Sequence, residues 1–327
     1  DTYTVEYDTD GETLNIVYVD ATKGWIPLND DDVTDAPVQP PTQKGIFGYG
    51  FNSVKLSMTN LVNSSGVVAT DTTGVGTARN GTSATSYGGD KAIFGYGNSS
   101  GNVSLTNLVS NAGVVATDTT GVGSARQELA AASYGFDKGI FGYGSTGSDS
   151  SLTNLVSNAG VVATDTTGVG TARPALAAAG YGDDKAIFGY GYTSSALSMT
   201  NLVSNTGVVG TDVGGVGTAR GYISGTGYGG DKAIFSGGYI GGGNNTGITN
   251  LVSNSGVVAA DVAVVGTVRR AVGAAAYGGD KALFAYGYTT GYVSMSNLIS
   301  SSGVVAADVT GVGTARQPSG VGYSFSA

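Results

Sequence analysis

Residues 91–97 read Lys-Ala-Ile-Phe-Gly-Tyr-Gly, and close variants of this stretch return along the chain at a nearly fixed interval. The lysine that opens each copy recurs in steps of 47, 47, 47, 47 and 49 residues. A period of this size predicts a repeat architecture in which each copy is one supersecondary unit. The lysines that open the six copies are Lys44, Lys91, Lys138, Lys185, Lys232 and Lys281.

The amino-acid composition excludes several kinds of functional site. The chain has 327 residues, of which 57 are glycine, and it contains neither cysteine nor histidine. Thiolate and imidazole ligands are therefore absent, and we expect no metal centre and no cofactor. The lack of cysteine also excludes a disulfide scaffold. No apolar run reaches the roughly 18 residues of a membrane-spanning helix, so we expect no membrane insertion.

The net charge of −9 is concentrated at the start of the chain. Residues 1–43 contain ten acidic residues and one basic residue, whereas residues 44–327 carry 14 of each sign. A protein that binds nucleic acid needs a basic field to hold the phosphates. The neutral repeat region therefore argues against a nucleic-acid partner.

The first 43 residues differ from the repeats in composition. Residues 1–29 hold short alternating apolar segments around Trp25 and predict a small β element, which we interpret as an anchor because two or three strands are marginal alone. Residues 30–43 are acidic, contain three prolines and are typical of a semi-extended linker. Because the chain begins with Asp1 and not with methionine, we expect a processed product or part of a longer protein.

Each repeat divides into four short segments rich in β-branched and aromatic residues and separated by glycine. In the third repeat these predicted strands cover residues 129–134, 138–143, 151–157 and 161–166. Four strands in a repeat of this length are typical of one blade of a β-propeller. The sequence therefore predicts an all-β fold made of four-stranded blades.

The repeat count predicts how the propeller closes. Residues 44–327 hold six periods, and the chain ends where a seventh lysine would stand. The first repeat lacks its own first strand, whereas residues 320–325 form a strand without a blade, so we expect a six-bladed propeller closed by the C-terminal strand. Tyr323 follows Arg316 by seven residues, where Tyr134 follows Arg126 by eight, and a bulge is expected in the closing strand.

The order of residues within a repeat resembles that of the kelch-type propeller. Residues 173–203 run from an arginine through a small apolar strand and Tyr-Gly to Asp-Lys-Ala-Ile-Phe-Gly-Tyr-Gly, and then to Thr-Asn-Leu-Val. The resemblance covers residues 44–327 and implies a propeller of repeated blades. The chain departs from the kelch pattern in having Gly-Tyr-Gly where kelch blades usually have Gly-Gly, and in lacking the late tryptophan.

A second resemblance concerns structural proteins of tailed bacteriophages. Residues 161–173 read Val-Val-Ala-Thr-Asp-Thr-Thr-Gly-Val-Gly-Thr-Ala-Arg and return closely at 67–79 and 114–126. This motif, together with the sequence Asn-Ile-Val-Tyr-Val-Asp-Ala-Thr-Lys-Gly-Trp at 15–25, is similar to sequences of that family. The resemblance implies an appendage, fibre or decoration protein of the virion, an extracellular particle.

Nearly all charges of the repeats occupy repeated positions. An arginine, a lysine and an aspartate recur once per repeat, and a second aspartate precedes the lysine in every repeat but the first, which has Gln43 there. Few charges lie outside these sets. We expect these residues to pair within or between blades, because an active site breaks symmetry and these positions preserve it. The segment Thr-Asp-Thr-Thr-Gly invites comparison with the Asp-box of sialidase-like propellers, but its spacing differs by one residue and the tryptophan of that motif is missing. Nothing singles out a carboxylate pair for glycoside cleavage. The sequence therefore does not favour an enzyme.

The loops that differ between repeats are the candidate binding elements. Turns between the second and third strands, and connections into each first strand, leave an antiparallel blade on the same face, where a rigid scaffold presents them. Two alternatives to a binding role remain. The turns could vary in sequence only because they contact nothing, or their tyrosines could serve only to pack one blade against the next. The candidate binding residues in these loops are Phe51, Asn98, Tyr192, Tyr222, Tyr239, Tyr288 and Tyr292.

These expectations combine into one functional hypothesis. The chain is expected to be a non-enzymatic structural or attachment protein of a phage particle, bound to other virion subunits through residues 1–43. Its loops would recognise a glycan or a protein on the host surface. A carbohydrate-binding, lectin-like propeller is the first alternative, supported by the loop tyrosines but not by the position of Trp25, which lies outside the repeats. A glycan hydrolase is the second alternative.

Overall fold

The computed structural model describes residues 16–20, 24–27, 43–263 and 265–324, and these residues form strands, turns and loops without an α-helix. No helix in this part of the chain has the length and apolar character to cross a membrane. The strands are β1 (Ile16–Asp20), β2 (Gly24–Pro27), β3 (Lys44–Phe51), β4 (Lys55–Val62), β5 (Ser83–Tyr87), β6 (Lys91–Gly95), β7 (Thr106–Val109), β8 (Ala130–Tyr134), β9 (Lys138–Gly142), β10 (Thr153–Val156), β11 (Ala177–Tyr181), β12 (Lys185–Tyr192), β13 (Ala196–Val203), β14 (Ser224–Tyr228), β15 (Lys232–Ser236), β16 (Tyr239–Gly241), β17 (Asn244–Asn245), β18 (Thr249–Val252), β19 (Gly273–Tyr277), β20 (Lys281–Ala285), β21 (Ser296–Ile299) and β22 (Gln317–Tyr323).

The strands form six small antiparallel sheets of three strands, so the all-β prediction is confirmed. In each sheet the strand that begins with the repeat lysine is central. The order of strands within each sheet is β22-β3-β4 (sheet 1), β5-β6-β7 (sheet 2), β8-β9-β10 (sheet 3), β11-β12-β13 (sheet 4), β14-β15-β18 (sheet 5) and β19-β20-β21 (sheet 6). Two-stranded ribbons are formed by β1 with β2 and by β16 with β17.

The chain divides into two compact units, Asp1–Pro40 and Pro41–Ala327. In the first unit, β1 and β2 pair in antiparallel register, with Val17 opposite Ile26. The rest of the predicted N-terminal element and nearly all of the predicted linker at 30–43 lie outside the described residues.

The C-terminal strand β22 pairs with β3 and completes sheet 1, as the repeat count predicts. Tyr323 lies opposite Lys44, just as Tyr134 lies opposite Lys138 in sheet 3. The register of this pair shifts between residues 317 and 319. The irregularity predicted from the shortened spacing before Tyr323 is therefore confirmed.

Residues 161–166 form no continuous strand, and the prediction of four-stranded blades is wrong. Two isolated bridges join this segment to β10. Between them the side-chain amide of Asn154 donates to the carbonyl of Ala163 at 2.9 Å and to the carboxylate of Asp165 at 3.0 Å. Because a side chain makes the bonds that a neighbouring backbone would make, the main-chain ladder is interrupted there. The equivalent asparagine makes the same bonds in the other repeats.

The first strands of the six sheets contact one another in a cycle. β5 contacts β8, and the series continues through β11, β14, β19 and β22 back to β5. At the end of these strands, six backbone amides each donate to a carbonyl of the next sheet at 2.6–2.9 Å. We call this set the constant-end belt; its bonds are Gly88 to Asp137, Gly135 to Asp184, Gly182 to Asp231, Gly229 to Asp280, Gly278 to Gln43 and Ser324 to Asp90.

The apolar core lies between neighbouring sheets. Between sheets 2 and 3, the ring of Phe141 packs edge to face against Tyr96, with centroids 5.2 Å apart. A Cβ on Gly95 would lie 2.7 Å from the Phe141 ring, so glycine is required for this approach. In the first four repeats, Ile-Phe-Gly-Tyr therefore supplies both a phenylalanine ring that packs against the preceding sheet and a glycine gap that receives the ring of the next sheet.

A buried arginine joins each sheet to the polar groups around it. Arg79 is fully buried, and its guanidinium donates to the Tyr96 carbonyl at 2.8 Å and to the Asn107 side chain at 2.6 Å. It also lies 3.6 Å from Asp118, which accepts hydrogen bonds from the backbone and hydroxyl of Thr77. A buried cation without such partners would be costly, so this network holds the sheet edges in register.

The expected pairing of repeated charges is confirmed. Ion pairs of 3.6–3.9 Å join Arg79 with Asp118, Arg126 with Asp165, Arg173 with Asp212, Arg269 with Asp308 and Arg316 with Asp71. Five repeat lysines also pair with the aspartate that precedes them, at 2.7–2.9 Å and in exposed positions.

Candidate binding surface at the variable end

The end of the sheets opposite the constant-end belt carries the loops that differ between repeats, and we call it the variable end. The connections into the first strands pair here with the turns between second and third strands. In sheet 2, Asn80 bridges Asn98; in sheet 5, Gly221 bridges Tyr239; in sheet 6, Arg270 bridges Tyr288. The two kinds of loop therefore lie together, as the antiparallel strand order predicts.

Six of the seven candidate residues form two runs of ring contacts, Tyr222–Tyr192–Tyr239 and Tyr288–Tyr292–Phe51. Successive contacts have centroid separations of 6.4 Å (Tyr222 to Tyr192), 5.9 Å (Tyr192 to Tyr239), 5.2 Å (Tyr288 to Tyr292) and 6.0 Å (Tyr292 to Phe51). We call these six partly buried side chains the tyrosine arc. The arc crosses the loops of sheets 4, 5, 6 and 1.

Arg270 occupies the centre of the tyrosine arc. Its guanidinium carbon lies 5.0 Å from the ring centre of Tyr239 and 5.0 Å from that of Tyr288, so it links the two halves of the arc. Cation–π contacts of this kind contribute about 0.5–2 kcal/mol and fix the position of the cation. The other repeats have a neutral residue at this position: asparagine, glutamine, proline or glycine.

Local hydrogen bonds hold the loops that carry the arc. The side-chain amide of Asn245, in β17, donates to the carbonyls of Tyr288 and Thr289 at 3.1 Å each, and the hydroxyl of Tyr239 accepts a bond from the amide of Gly243 at 3.0 Å. The Gly-rich insertion of the fifth repeat thus forms the ribbon β16–β17 and ties its tyrosine to the loop of sheet 6. The rings are presented on ordered backbone.

Asn98, the seventh candidate, does not belong to the arc. Its side-chain oxygen accepts a bond from Nζ of Lys55 at 2.6 Å, and its amide donates to Asn102 at 2.9 Å. Lys55 also donates to the carbonyl of Ser99. Lys55 belongs to the same hairpin as Phe51, so these contacts extend from the end of the arc toward sheet 2. The side chains in this extension are polar and hydrogen-bond to one another.

A second belt of backbone bonds surrounds the first strands at the variable end. The amides of Glu128, Ala175, Tyr222 and Ala271 each donate at 2.7–2.9 Å to the carbonyl of the equivalent residue in the preceding repeat. These four donors have φ between 48° and 56°, a left-handed conformation that non-glycine residues rarely adopt. Pro318 stands at the sixth position and lacks the amide hydrogen for such a bond.

A cavity of ≈ 520 Å³ lies between the two belts. Small side chains of all six first strands line it, together with Glu128 and Tyr222 at the variable end. Burial raises the pKa of the Glu128 carboxyl. Burial also raises the pKa of the Tyr222 hydroxyl, and the nearby charge of Glu128 adds to this effect, whereas Arg270 opposes it. The mouth of the cavity and the arc are therefore electrostatically linked through Tyr222.

The candidates chosen for their aromatic rings did not include the two charged residues of this surface. Arg270 and Glu128 both break the repeat pattern of charge, and that departure is the sequence signal that marks them. Their position beside the tyrosines depends on loop paths, which the sequence pattern does not specify. In the part of the chain that the structure describes, no group of three or more Asp or Glu residues is placed to hold a metal ion, and the sequence has no His or Cys.

Comparison with known proteins gives information on the fold alone. No protein-family model and no curated protein sequence matches this chain. Among solved structures, a fungal alcohol oxidase of the AA5 family, in complex with copper, superposes with a TM-score of 0.55 at 13% sequence identity. The match covers 85% of this chain and 66% of the oxidase, so the chain spans just under two thirds of that protein. At this identity the likeness concerns the path of the chain and not its chemistry.

Proposed function

We propose that residues 44–327 form a six-bladed β-propeller and that the chain is a non-enzymatic attachment protein. Each three-stranded sheet would be one blade, with the interrupted fourth segment along its outer edge. The cycle of contacts among the first strands, the position of β22 in sheet 1 and the constant-end belt support this architecture. Such a scaffold suits the display of loops at one end.

The tyrosine arc carries the proposal of binding. Six partly exposed aromatic rings and one arginine in continuous contact form a surface on which a ligand could stack and donate or accept hydrogen bonds. Tyrosine is well suited to recognition because its ring offers a large rigid contact area and its hydroxyl a polar group. The sequence of the repeats is similar to that of tailed-phage structural proteins, which supports the proposal that the chain belongs to a virion. Residues 1–43 would then bind the other subunits of the particle.

A lectin-like protein outside a particle is the second candidate, and the same arc supports it. Stacking on aromatic rings is a common way to hold sugar. A glycan hydrolase is less well supported, because the repeated aspartates are already engaged with arginine, asparagine and threonine in structural networks. Among the described residues, the carboxylates that line the cavity are Glu128 at the variable end and Asp183 on the turn between β11 and β12, at the constant end.

A glycan array probed with the full chain tests the binding proposal. We expect bacterial surface glycans to bind, and Tyr239→Ala and Tyr288→Ala to weaken binding at least tenfold. Phe136→Ala is the control, since Phe136 is a 74% exposed aromatic residue on the turn between β8 and β9, at the constant end. Equal binding by all variants, or no glycan bound, would contradict the proposal. Release of new reducing ends from a bound polysaccharide would show catalysis instead.

Electron microscopy separates the two settings. If antibody against this chain labels an appendage of a phage particle, the attachment proposal stands, and a map of that particle should place residues 1–43 against neighbouring subunits. If the chain is found only free in solution, the lectin alternative takes its place.

A further inference from the structure

We infer that the ligand of the tyrosine arc is an acidic glycan whose carboxylate binds Arg270. This inference rests on the proposed role of the arc as a glycan-binding surface and adds the chemical class of the ligand. It depends on three features of Arg270: its unused hydrogen-bond donors, its fixed position and the distribution of charge around it.

Among the residues that the structure describes, most donors of the Arg270 guanidinium have no acceptor. A guanidinium has five N–H groups. One of them makes a long bond of 3.4 Å to the side-chain oxygen of Asn245, and the other four reach no acceptor among the described residues. No carboxylate of a described residue forms an ion pair with Arg270 within 4.0 Å. The six repeated arginines, in contrast, are buried and donate to several backbone and side-chain oxygens.

The position of Arg270 is fixed before any ligand binds. The guanidinium carbon lies 5.0 Å from the ring centres of both Tyr239 and Tyr288, and the backbone amide of Arg270 donates to the Tyr288 carbonyl at 3.0 Å. A planar guanidinium in a fixed position presents paired donors that match the two oxygens of a carboxylate. Little conformational entropy remains to be lost on binding, which favours affinity.

Charge at the variable end is divided between the sheets. Glu128 and the exposed Asp149 belong to the loops of sheet 3, whereas Arg270 lies in the loops of sheet 6. The other cation at this end, Lys55 in the hairpin of sheet 1, already donates to Asn98 and Ser99. An anionic group is therefore attracted toward the centre of the arc and repelled from sheet 3. A sugar ring beside that anion would lie against the tyrosines on either side of Arg270, so one acidic sugar unit can use both the charge and the aromatic surface.

The test uses pairs of oligosaccharides that differ only in the acid. The probes are uronic-acid and nonulosonic-acid oligosaccharides, each compared with its carboxyl-reduced counterpart, and the measurement is the dissociation constant with the full chain. We expect at least one acidic member to bind about tenfold tighter than its reduced form, a difference that added salt diminishes. Arg270→Gln should abolish this difference, so that the acidic and reduced forms bind that variant equally, and Arg270→Lys should keep only part of it.

Lys281→Gln is the control variant, because Lys281 is an exposed cation at the constant end and its loss changes net charge equally. It should leave every dissociation constant unchanged, and thermal melts should show that all three variants are folded. If acidic and reduced forms bind equally, or if Arg270→Gln leaves the preference intact, the inference is wrong while the arc remains a glycan site. If no oligosaccharide of either kind binds here or on the array, both the inference and the proposed glycan function fail.

Discussion

Gly237 lies beside the buried Arg269, at the position where the other five repeats place a tyrosine. In those repeats the tyrosine ring lies 4.2–4.6 Å from the arginine that enters the next sheet and packs against the next phenylalanine. Here the ring is missing, and a small cavity of ≈ 20 Å³ is lined by Gly237, Arg269 and Phe284. The five tyrosines are Tyr49, Tyr96, Tyr143, Tyr190 and Tyr286.

Gly237→Tyr should therefore be more stable than Gly237→Ala. The φ of Gly237 is 69°, close to the 60–65° of the five tyrosines, so the backbone already has the required conformation. The new ring would gain an edge contact with Phe284 and a cation–π contact with Arg269, together about 1–2 kcal/mol. Both variants carry the same Cβ, so thermal unfolding should show a higher midpoint for Gly237→Tyr than for Gly237→Ala. Gly237→Ala is the control: it adds a Cβ 2.8 Å from the Arg269 carbonyl without the ring, and should lower the midpoint.

Asp118→Asn should destabilise the protein at neutral pH and much less in acid. Burial alone would raise the pKa of the Asp118 carboxyl, but hydrogen bonds from Thr77 and Asn107 and the charge of Arg79 together hold it below its usual 3.8. A lowered pKa means that the ionised carboxylate stabilises the fold above pH 3.8, and that this contribution is lost as pH falls through the lower folded value. We expect a loss of about 1–3 kcal/mol at pH 7.

Urea unfolding of both proteins between pH 7 and pH 2 would measure this difference. Asp90→Asn is the comparison, because Asp90 pairs with Lys91 in an exposed position, where ion pairs contribute little. A constant gap between Asp118→Asn and the parent protein across this range would contradict the prediction. Since five further aspartates have equivalent partners, the parent protein itself should lose stability in acid.

Gly160→Ala should destabilise the protein more than a left-handed conformation alone explains. Gly160 has a φ of +77°, and a Cβ there would lie 2.9 Å from the ring of Tyr87 in the neighbouring sheet. Gly89 has the same φ of +77° but no atom within 4 Å, so Gly89→Ala isolates the backbone strain at about 1 kcal/mol. The added overlap at Gly160 should cost about 1–3 kcal/mol more. Equal urea midpoints of the two variants would show that Tyr87 moves freely.

The repeat period was enough to predict three strands of every sheet and the pairing of β22 with β3. Strand positions follow from β-branched residues between turn glycines, and this pattern is local. The prediction of a fourth strand was wrong although its segment is as rich in β-forming residues as the other three. The hydrogen bonds from the Asn154 side chain to Ala163 and Asp165 replace the main-chain ladder there. Those bonds join residues nine and eleven positions apart, and hydrophobic pattern carries no trace of them.

The candidate surface was predictable in its residues but not in its connections. Loop tyrosines stood out because they vary between otherwise identical repeats. Their order along the arc, and the position of Arg270 between Tyr239 and Tyr288, depend on how the β16–β17 ribbon reaches the loop of sheet 6. Both belts are made of backbone hydrogen bonds between successive repeats, and side-chain identity does not predict such bonds. The exception is Pro318, whose missing amide hydrogen predicts that no bond is donated there.

Glu128→Gln should stabilise the protein at neutral pH and leave it unchanged in strong acid. Burial raises the pKa of the Glu128 carboxyl above the usual 4.5, and no described residue donates a hydrogen bond to it. Below that usual value the group is protonated in both folded and unfolded chains, so it has no effect. As pH rises through 4.5 toward the folded pKa, the unfolded chain ionises first and the folded state loses stability. Glutamine carries no charge and removes this penalty. From pH 3 to pH 8, the melting midpoint of Glu128→Gln should therefore rise increasingly above that of the parent protein. Asp149→Asn, which removes an exposed charge from the same sheet, should follow the parent protein. Parallel curves for Glu128→Gln and the parent would show that the Glu128 carboxylate is solvated at the cavity mouth.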